Sequence, residues 1–124
     1  MGRIRDKDTS PEMAVRKLIY SMGYRYRLHG KTLPGKPDLV FRPRRKIIFV
    51  HGCFWHQHKG CKDKHIPKSN KGYWKPKLEK TVKRDKENKK RLINDGWDVL
   101  VIWECYLSDM AKLRKTIKKF LGKA

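Results

Sequence analysis

The segment of residues 51–61 constrains the fold most, because its sequence, His-Gly-Cys-Phe-Trp-His-Gln-His-Lys-Gly-Cys, is too polar to build a core alone. Zinc in structural sites takes four Cys or His ligands in a tetrahedral array. Cys53, His58, Cys61 and the distant Cys105, which follows an apolar strand, would make such a set. This pattern predicts a structural zinc site that ties the loop to a sheet and adds folding free energy. The alternative is a buried Cys105 with two surface thiols.

The cysteine count and the hydropathy pattern limit the cellular compartments in which we expect the protein. Three cysteines make an odd number, which argues against a disulfide framework and for a reducing environment. No run approaches the ~20 apolar residues that span a bilayer, and no signal peptide is visible. We therefore expect a cytoplasmic protein with no membrane partner.

Net charge points to the class of partner. Lys and Arg total 33 against 12 Asp and Glu, which gives a formal charge of +21. A charge this large repels itself in a small fold unless a polyanion binds, and nucleic acid is the expected polyanion. Non-catalytic nucleic-acid-binding proteins carry similar charge, so charge alone does not indicate an enzyme.

Hydrophobic periodicity predicts one α/β domain over residues 1–124, with residues 1–8 as an N-terminal arm. Thr9 can cap a first helix that Gly23 ends, and a long helix ends at Gly96. We predict helices, strands and a loop in this order: helix 9–22, strands 24–29, 38–41 and 46–50, loop 51–70, helix 74–94, strand 98–103 and helix 107–121. The order α-β-β-β-α-β-α indicates a mixed sheet flanked by helices, with Trp97 and Trp103 in the core.

Asp38 and the histidines around residue 51 are the candidates for chemistry. Asp38 opens a strand after a helix that carries Glu12, and a carboxylate there can hold a hard divalent ion for phosphodiester hydrolysis. The alternative is that Asp38 caps the turn after Pro37. His51 and His56 flank the metal loop and are expected near Asp38 across a hairpin, where they could serve in acid–base catalysis. Otherwise they, like His65, are solvated loop residues.

Two aromatic pairs lie in the basic chain, Phe54-Trp55 inside the loop and Tyr73-Trp74 after it. Apolar side chains on a basic surface can wedge between base steps of DNA. The alternative is a small core beneath the zinc loop. Along an extended segment, adjacent Phe54 and Trp55 cannot both point inward, so we expect at least one to be exposed.

These segments together resemble the very-short-patch-repair (Vsr-type) mismatch endonucleases over nearly the whole chain. The string His-Gly-Cys-Phe-Trp-His and the distant Trp-Glu-Cys are highly specific for that family. The matching segments are residues 8–12, 23–29, 33–38, 48–56, 74, 84–85 and 96–105. Two features depart from the family's pattern. Lys59 and Gly60 stand where the family usually has one residue, and Met1 to Ile4 match the interior of the family's longer N-terminal arm.

The resemblance implies a restriction-endonuclease-like three-layer core with a structural zinc, and it implies a role for each matching position. Asp38 and the main-chain carbonyl of Val50 would hold the catalytic Mg²⁺. The remaining implied residues are Glu12, His51 and His56 in catalysis, Asp85 orienting a histidine, Cys53, His58, Cys61 and Cys105 on zinc, and Phe54, Trp55 and Trp74 as the DNA wedge.

The resemblance also implies a function. The expected enzyme nicks one strand of double-stranded DNA at T:G mismatches, which arise when 5-methylcytosine deaminates. It would act as a monomer in the nucleoid of a prokaryote or in a phage, with other mismatch-repair proteins as further partners. One alternative is a Vsr-like nicking, homing or restriction-associated endonuclease with another DNA target. A different class, a non-catalytic basic DNA-binding module, is the third possibility.

Overall fold

The computed structural model of the protein describes residues 10–58 and 71–123. The expected N-terminal arm, the capping Thr9, the fourth zinc ligand Cys61 and His65 lie outside the described residues. Among the described residues, the helices and strands follow the predicted order. They are α1 Ser10–Ser21, β1 Arg27–Leu28, β2 Leu39–Phe41, β3 Lys46–His51, α2 Lys71–Asn94, β4 Asp98–Trp103, a 3₁₀ helix Glu104–Ser108 and α3 Met110–Leu121.

The described strands form one mixed sheet in the order β1-β2-β3-β4. β1 pairs with β2, and β2 with β3, in antiparallel fashion, whereas β3 and β4 are parallel. The long helix α2 connects the two parallel strands, as a parallel pair requires a crossover. β3 is therefore a central strand, which confirms the prediction from its apolar sequence.

Alternation along β3 divides the core between the two faces of the sheet. Ile48 lies in the cluster that contains α1 and α3 side chains, with Val50 packed against it. Ile47 and Phe49 lie in the second cluster, which α2 covers through Leu92. Helices on both faces give the three layers that the sequence predicted. Trp97 belongs to the second cluster and is 5% exposed, so its placement in the core is confirmed.

Several boundaries and one core assignment differ from the predictions. The strand predicted at 24–29 is reduced to Arg27–Leu28, the two residues that pair with β2. Tyr24 is buried in the core, and its hydroxyl donates to the carbonyl of Gly122. α3 begins at Met110, where the side chain of Asp109 accepts from the amide of Lys112 at 3.1 Å. Trp103 is only partly buried at the end of β4, so its predicted place in the main core is wrong.

Three strand ends meet at one edge of the sheet, namely the edge that crosses the ends of β3 and β4 and the start of β2. β3 and β4 are parallel and end opposite each other, with His51 in register with Trp103. β2 runs the other way, so its first residues reach the same edge, preceded by Asp38. The candidate site lies at this edge. None of the helices within the described residues is long and apolar enough to cross a membrane.

Candidate active site

Two acidic side chains meet at the start of β2. Oδ2 of Asp38 accepts a hydrogen bond from the amide of Val50 at 2.6 Å, because β2 and β3 are paired in this hairpin. Glu12, in the first turn of α1, is only 2% exposed. Ligand atoms of Glu12, His29 and Asp38 all lie within 4.8 Å of one another. The structure thus joins the predicted pair Glu12 and Asp38 and adds His29.

His29 and Arg16 are the residues that the sequence analysis missed. Oε2 of Glu12 contacts the guanidinium of Arg16, one helical turn on, and lies 2.8 Å from Nε2 of His29. The spacing of Glu12 and Arg16 at i and i+4 is a signal for such a pair. His29 stands at the end of the alternating segment 24–29, where only the fold reveals its neighbours.

The pKa of Asp38 is raised from its usual 3.8 to about 7. Burial is the main cause, and the nearby carboxylate of Glu12 adds to it, while the hydrogen bond from the Val50 amide opposes it. A buried acid beside a second carboxylate is unstable as an anion unless a cation compensates it. The two oxygen donors fit a hard divalent cation, which prefers oxygen ligands.

A second cluster lies at the end of β3. The rings of His51 and His56 are stacked, with centroids 3.8 Å apart and planes 8° from parallel. Nδ1 of His56 lies 2.6 Å from Oδ2 of Asp85, which is on α2. An ionised carboxylate only accepts, so Nδ1 of His56 donates and its Nε2 is left as the acceptor of the neutral ring. The predicted set of His51, His56 and Asp85 is therefore in contact.

His51 is held as a neutral imidazole. Its pKa is lowered from 6.5 to about 3, mainly by burial and in part by the neighbouring His56, while Asp85 opposes the shift. Its ring contacts Phe49 and Trp103 in addition to His56. These contacts lie toward α2, because Val50 and His51 alternate across the sheet. Asp38 contacts the amide of Val50, and Val50 is followed directly by His51. The expected proximity of Asp38 and His51 therefore comes from this contact with the backbone of β3.

A cavity of about 790 Å³ opens beside the histidine pair, between α2 and the sheet. Phe49, Leu78 and Val101 are among its apolar lining residues. Lysines of α2 also line it, and they are Lys75, Lys83, Lys86 and Lys89. The histidine cluster is thus reached from a concave surface that carries positive charge.

The cysteine and histidine cluster holds the turn after β3 against the end of β4. Nδ1 of His58 lies 3.7 Å from Sγ of Cys53 and 3.4 Å from Sγ of Cys105. A sulfur and a nitrogen ligand of one tetrahedral zinc, at bond lengths of about 2.3 Å and about 2.0 Å, are about 3.5 Å apart. Burial lowers the pKa of His58, which favours the neutral ring that ligation requires. These residues fit a zinc ion, while Cys61 is outside the described residues.

The three predicted wedge residues form one aromatic cluster. Ring centroids of Phe54, Trp55 and Trp74 are 5.3 to 5.5 Å apart in edge-to-face contacts. Both Phe54 and Trp55 face Trp74, because the chain turns here instead of extending, with the amide of His58 bonded to the carbonyl of Cys53. The reasoning from an extended segment was therefore wrong, and both rings are partly exposed.

The fold matches that of a known nuclease domain. The catalytic domain of the homing endonuclease I-Bth0305I superimposes with a TM-score of 0.63 and 22% sequence identity, over 91% of this chain and 94% of that chain. The two proteins therefore share a fold, a mixed sheet with flanking helices, as the sequence predicted.

Sequence comparison gives the family. The family model for "DNA mismatch endonuclease Vsr" matches residues 1–63. The type II nicking enzyme V.XorIIP of Xanthomonas oryzae pv. oryzae is 50% identical over 121 residues, 98% of this chain and 88% of the relative. The DNA mismatch endonuclease Vsr of Escherichia coli is 39% identical over 113 residues, 91% of this chain and 72% of the relative. The chain belongs to the Vsr family of DNA mismatch endonucleases, as its motifs predicted.

Proposed function

We propose that this protein is a Mg²⁺-dependent endonuclease that nicks one strand of double-stranded DNA at T:G mismatches. The observation that carries the proposal is the meeting of Asp38 with Glu12 at the sheet edge where the His51–His56 pair also stands. Acidic oxygens for a cation and imidazoles for proton transfer are the groups that phosphodiester hydrolysis needs. Membership of the Vsr family supports the same reaction.

Asp38 and the main-chain carbonyl of Val50 are the proposed Mg²⁺ ligands, with Glu12 beside them. Mg²⁺ bound there would neutralise charge that develops on the phosphate oxygens and would activate water. The residues present fit such an ion, because burial and the proximity of Glu12 leave Asp38 in need of a cation. The hydrogen bond from the amide of Val50 fixes Oδ2 of Asp38 and so orients the carboxylate.

His51 and His56 are the proposed acid–base residues. Asp85 accepts from Nδ1 of His56, which fixes the tautomer and leaves Nε2 free to take or give a proton. His51 stays neutral at physiological pH, so the stacked pair does not carry two like charges. The lysines that line the neighbouring cavity supply positive charge for the DNA backbone.

The Cys53, His58, Cys61 and Cys105 set is the proposed structural zinc site. Its purpose follows from what lies between its ligands. Residues 54–56 include two proposed wedge residues and one proposed catalytic histidine, and all stand in a turn. A metal link to β4 would hold that turn in one geometry, as preorganised function requires.

The aromatic cluster of Phe54, Trp55 and Trp74 is the proposed wedge. Unstacking a base step costs a few kcal/mol, and a mismatch lowers that cost. Partly exposed aromatic rings can regain the lost stacking by contact with the separated bases. Discrimination would therefore arise from the deformability of the T:G step.

A related target is the second candidate. The relative V.XorIIP is a type II nicking enzyme. This favours nicking near the sites of a particular restriction or modification system. In that case mismatch recognition would be confined to one sequence context.

A nicking assay with labelled duplexes tests these candidates. Wild-type protein should cut one strand of a T:G duplex with Mg²⁺ and leave the matched duplex intact. Asp38→Asn should bind the duplex without cutting it. Asp98→Asn is the matched control, because Asp98 is an exposed aspartate at the opposite end of the sheet. Cutting of another site supports the second candidate, and binding without any cutting by wild type indicates the non-catalytic module.

A further inference from the structure

We propose that Arg16 and His29 are positioning residues that together hold the carboxylate of Glu12 for the reaction. The inference rests on the proposed function, since it assigns work to Glu12. Neither residue touches the proposed cation or the DNA in this role. Their effect is to fix the carboxylate of Glu12, so that it stays directed to the site shared with Asp38.

Both partners act on the same atom. Oε2 of Glu12 contacts the guanidinium of Arg16 and lies 2.8 Å from Nε2 of His29, while the Arg16 and His29 nitrogens are 3.1 Å apart. The side chain of Glu12 is 3% exposed and that of Arg16 is 13% exposed. A buried carboxylate requires compensation of this kind, and Arg16 and His29 both supply it at Oε2.

The backbone of His29 is arranged for this contact. Its φ is 47°, in the left-handed region that residues other than glycine seldom adopt. Its amide donates to the carbonyl of Asp38 at 3.0 Å. His29 therefore bonds to the main chain of one acidic residue and to the side chain of the other. Unusual backbone geometry of this sort gathers at functional sites.

The backbone of Arg16 is held as well. Its carbonyl accepts from the hydroxyl of Tyr26 at 3.2 Å, which links α1 to the segment before β1. Arg16 also stands one turn after Glu12 on α1, where side chains at i and i+4 meet. Arg16 and His29 form a clamp on Glu12, and the backbones of both clamp residues are held by hydrogen bonds to neighbouring segments.

The clamp matters because Glu12 and Asp38 are neighbouring carboxylates that repel each other whenever both are ionised. Released from Oε2, the Glu12 side chain would rotate away from Asp38 to relieve repulsion, and the two carboxylates would no longer present their oxygens together. Loss of such an orienting contact typically lowers metal affinity or activity about 10- to 100-fold. The turnover number and the affinity for the cation should fall, while the KM for DNA should hold.

The test uses the full chain with substitutions that separate contact from charge. His29→Asn tolerates the left-handed backbone but is too short to reach Glu12, whereas His29→Gln retains a donor at that reach. Arg16→Met removes the guanidinium and keeps the apolar stem. Lys17→Met is the matched control, because Lys17 is the exposed neighbour on α1 and the change removes the same charge. Measurements are kcat and KM for duplex nicking, and Mn²⁺ binding to DNA-free protein by electron paramagnetic resonance.

We expect Arg16→Met and His29→Asn to lower kcat and Mn²⁺ affinity by about tenfold or more, with KM for DNA within about twofold. His29→Gln and Lys17→Met should behave as wild type. Wild-type kcat in both His29→Asn and Arg16→Met would overturn the clamp, as would an equal loss in Lys17→Met. If Arg16→Met unfolds, the two His29 variants decide, and equal activity in them overturns the proposal.

Glu12→Gln separates the clamp from the proposed function. If Glu12→Gln keeps full activity and Mn²⁺ affinity, the role of Glu12 in the proposed function is wrong. If Glu12→Gln loses both but Arg16→Met and His29→Asn do not, only the clamp is wrong. In the Glu12→Gln background, Arg16→Met should give no further loss of Mn²⁺ affinity, because the two residues act as a unit.

Discussion

The imidazole of His58 lies flat on the indole of Trp103, with ring centroids 4.2 Å apart and planes 9° from parallel. The same indole meets the ring of His51 at 5.2 Å in an edge-to-face contact. Trp103 thus stands between a proposed zinc ligand and a proposed catalytic histidine. Glu104 and Cys105, the next two residues, also reach the turn, through the amide of Cys53 and through His58.

Trp103→Ala should therefore weaken both sites. Removal of a packed Trp side chain destabilises a protein by roughly 3–5 kcal/mol, and the partial exposure of Trp103 places the loss at the low end. Zinc should leave the variant faster in a chelator competition, and nicking should slow. Trp103→Phe should restore much of both, because it keeps an aromatic face for His58. Equal zinc release from wild type and Trp103→Ala would show that the stacking is incidental.

The raised pKa of Asp38 predicts a pH-dependent gain in stability for Asp38→Asn in Mg²⁺-free buffer. The pKa of this carboxyl group is ordinarily 3.8, and in the folded protein it is about 7. The folded state therefore holds a proton that the unfolded state releases, so wild-type stability falls as pH rises between these values and levels off above them. The free energy of unfolding of Asp38→Asn should therefore rise relative to that of wild type over this pH window, to a difference on the order of 4 kcal/mol.

Denaturant unfolding at several pH values measures this gain. Asp98→Asn is again the control, because the side chain of Asp98 is 70% exposed, and its advantage should not change with pH. A constant difference between wild type and Asp38→Asn across the window would contradict the raised pKa.

Metal removal should unfold the protein. We expect one zinc per chain, because the described ligands Cys53, His58 and Cys105 already lie at zinc-site spacing. Cys105→Ala should lose zinc and stability, as measured by metal analysis and thermal melting. Ser108→Ala is a suitable control, because the Ser108 hydroxyl bonds the carbonyl of Cys105 but offers no metal ligand. Full zinc content in Cys105→Ala would disprove the four-ligand site.

If the aromatic cluster is a wedge, Trp55→Ala should impair nicking of the mismatched duplex more than binding to the matched duplex. Stacking of an aromatic ring on a base is worth roughly 1–3 kcal/mol, so nicking of a T:G duplex should fall by about fivefold or more. Binding to the matched duplex and zinc content should change little. Tyr20→Ala removes a 55% exposed aromatic ring on α1 and should be silent. If Trp55→Ala unfolds the protein, Trp55 is a core residue, and an equal loss with both duplexes removes stacking as the source of selectivity.

DNA binding should weaken steeply with salt. If several of the Lys and Arg residues neutralise phosphates, the slope of log K against log salt should be about −5 or steeper. Fluorescence anisotropy with Asp38→Asn, which should not cut the duplex, gives this slope between about 50 and about 200 mM salt. A nearly flat dependence would mean that the +21 charge serves another purpose.

Much of the architecture was predictable because it depends on local periodicity. The apolar run of β3, the helical spacing of α3 and the glycines after α1 and α2 are all local signals. Gly23 and Gly96 have φ of 97° and 90°, as helix-ending glycines do. The candidate residues Glu12, Asp38, His51, His56 and Asp85 could be named from motifs, since their residue types and order are themselves the signal.

Contacts between elements were decided only by the tertiary structure. Phe54 and Trp55 both meet Trp74 because the chain turns at Cys53, whereas a sequence rule for extended chains separates them. Trp97 and Trp103 are both large aromatic residues next to or within the same apolar strand, so the sequence does not distinguish them. Trp97 is buried in the core, whereas Trp103 ends β4 and packs on His51 and His58. Periodicity gives the face of an element and not what that face meets.

The sequence by itself determined the order of the elements, the types of the proposed zinc ligands and the acidic and histidine candidates, because each depends on residues close in the chain or on one distinctive motif. Only the tertiary structure brought His29 onto Glu12 and opposite Asp38. That meeting requires a left-handed residue at the end of one strand and a helix start packed over it. The physical reason is that side-chain neighbours 17 residues apart are set by how the helix packs on the sheet, which no local pattern encodes.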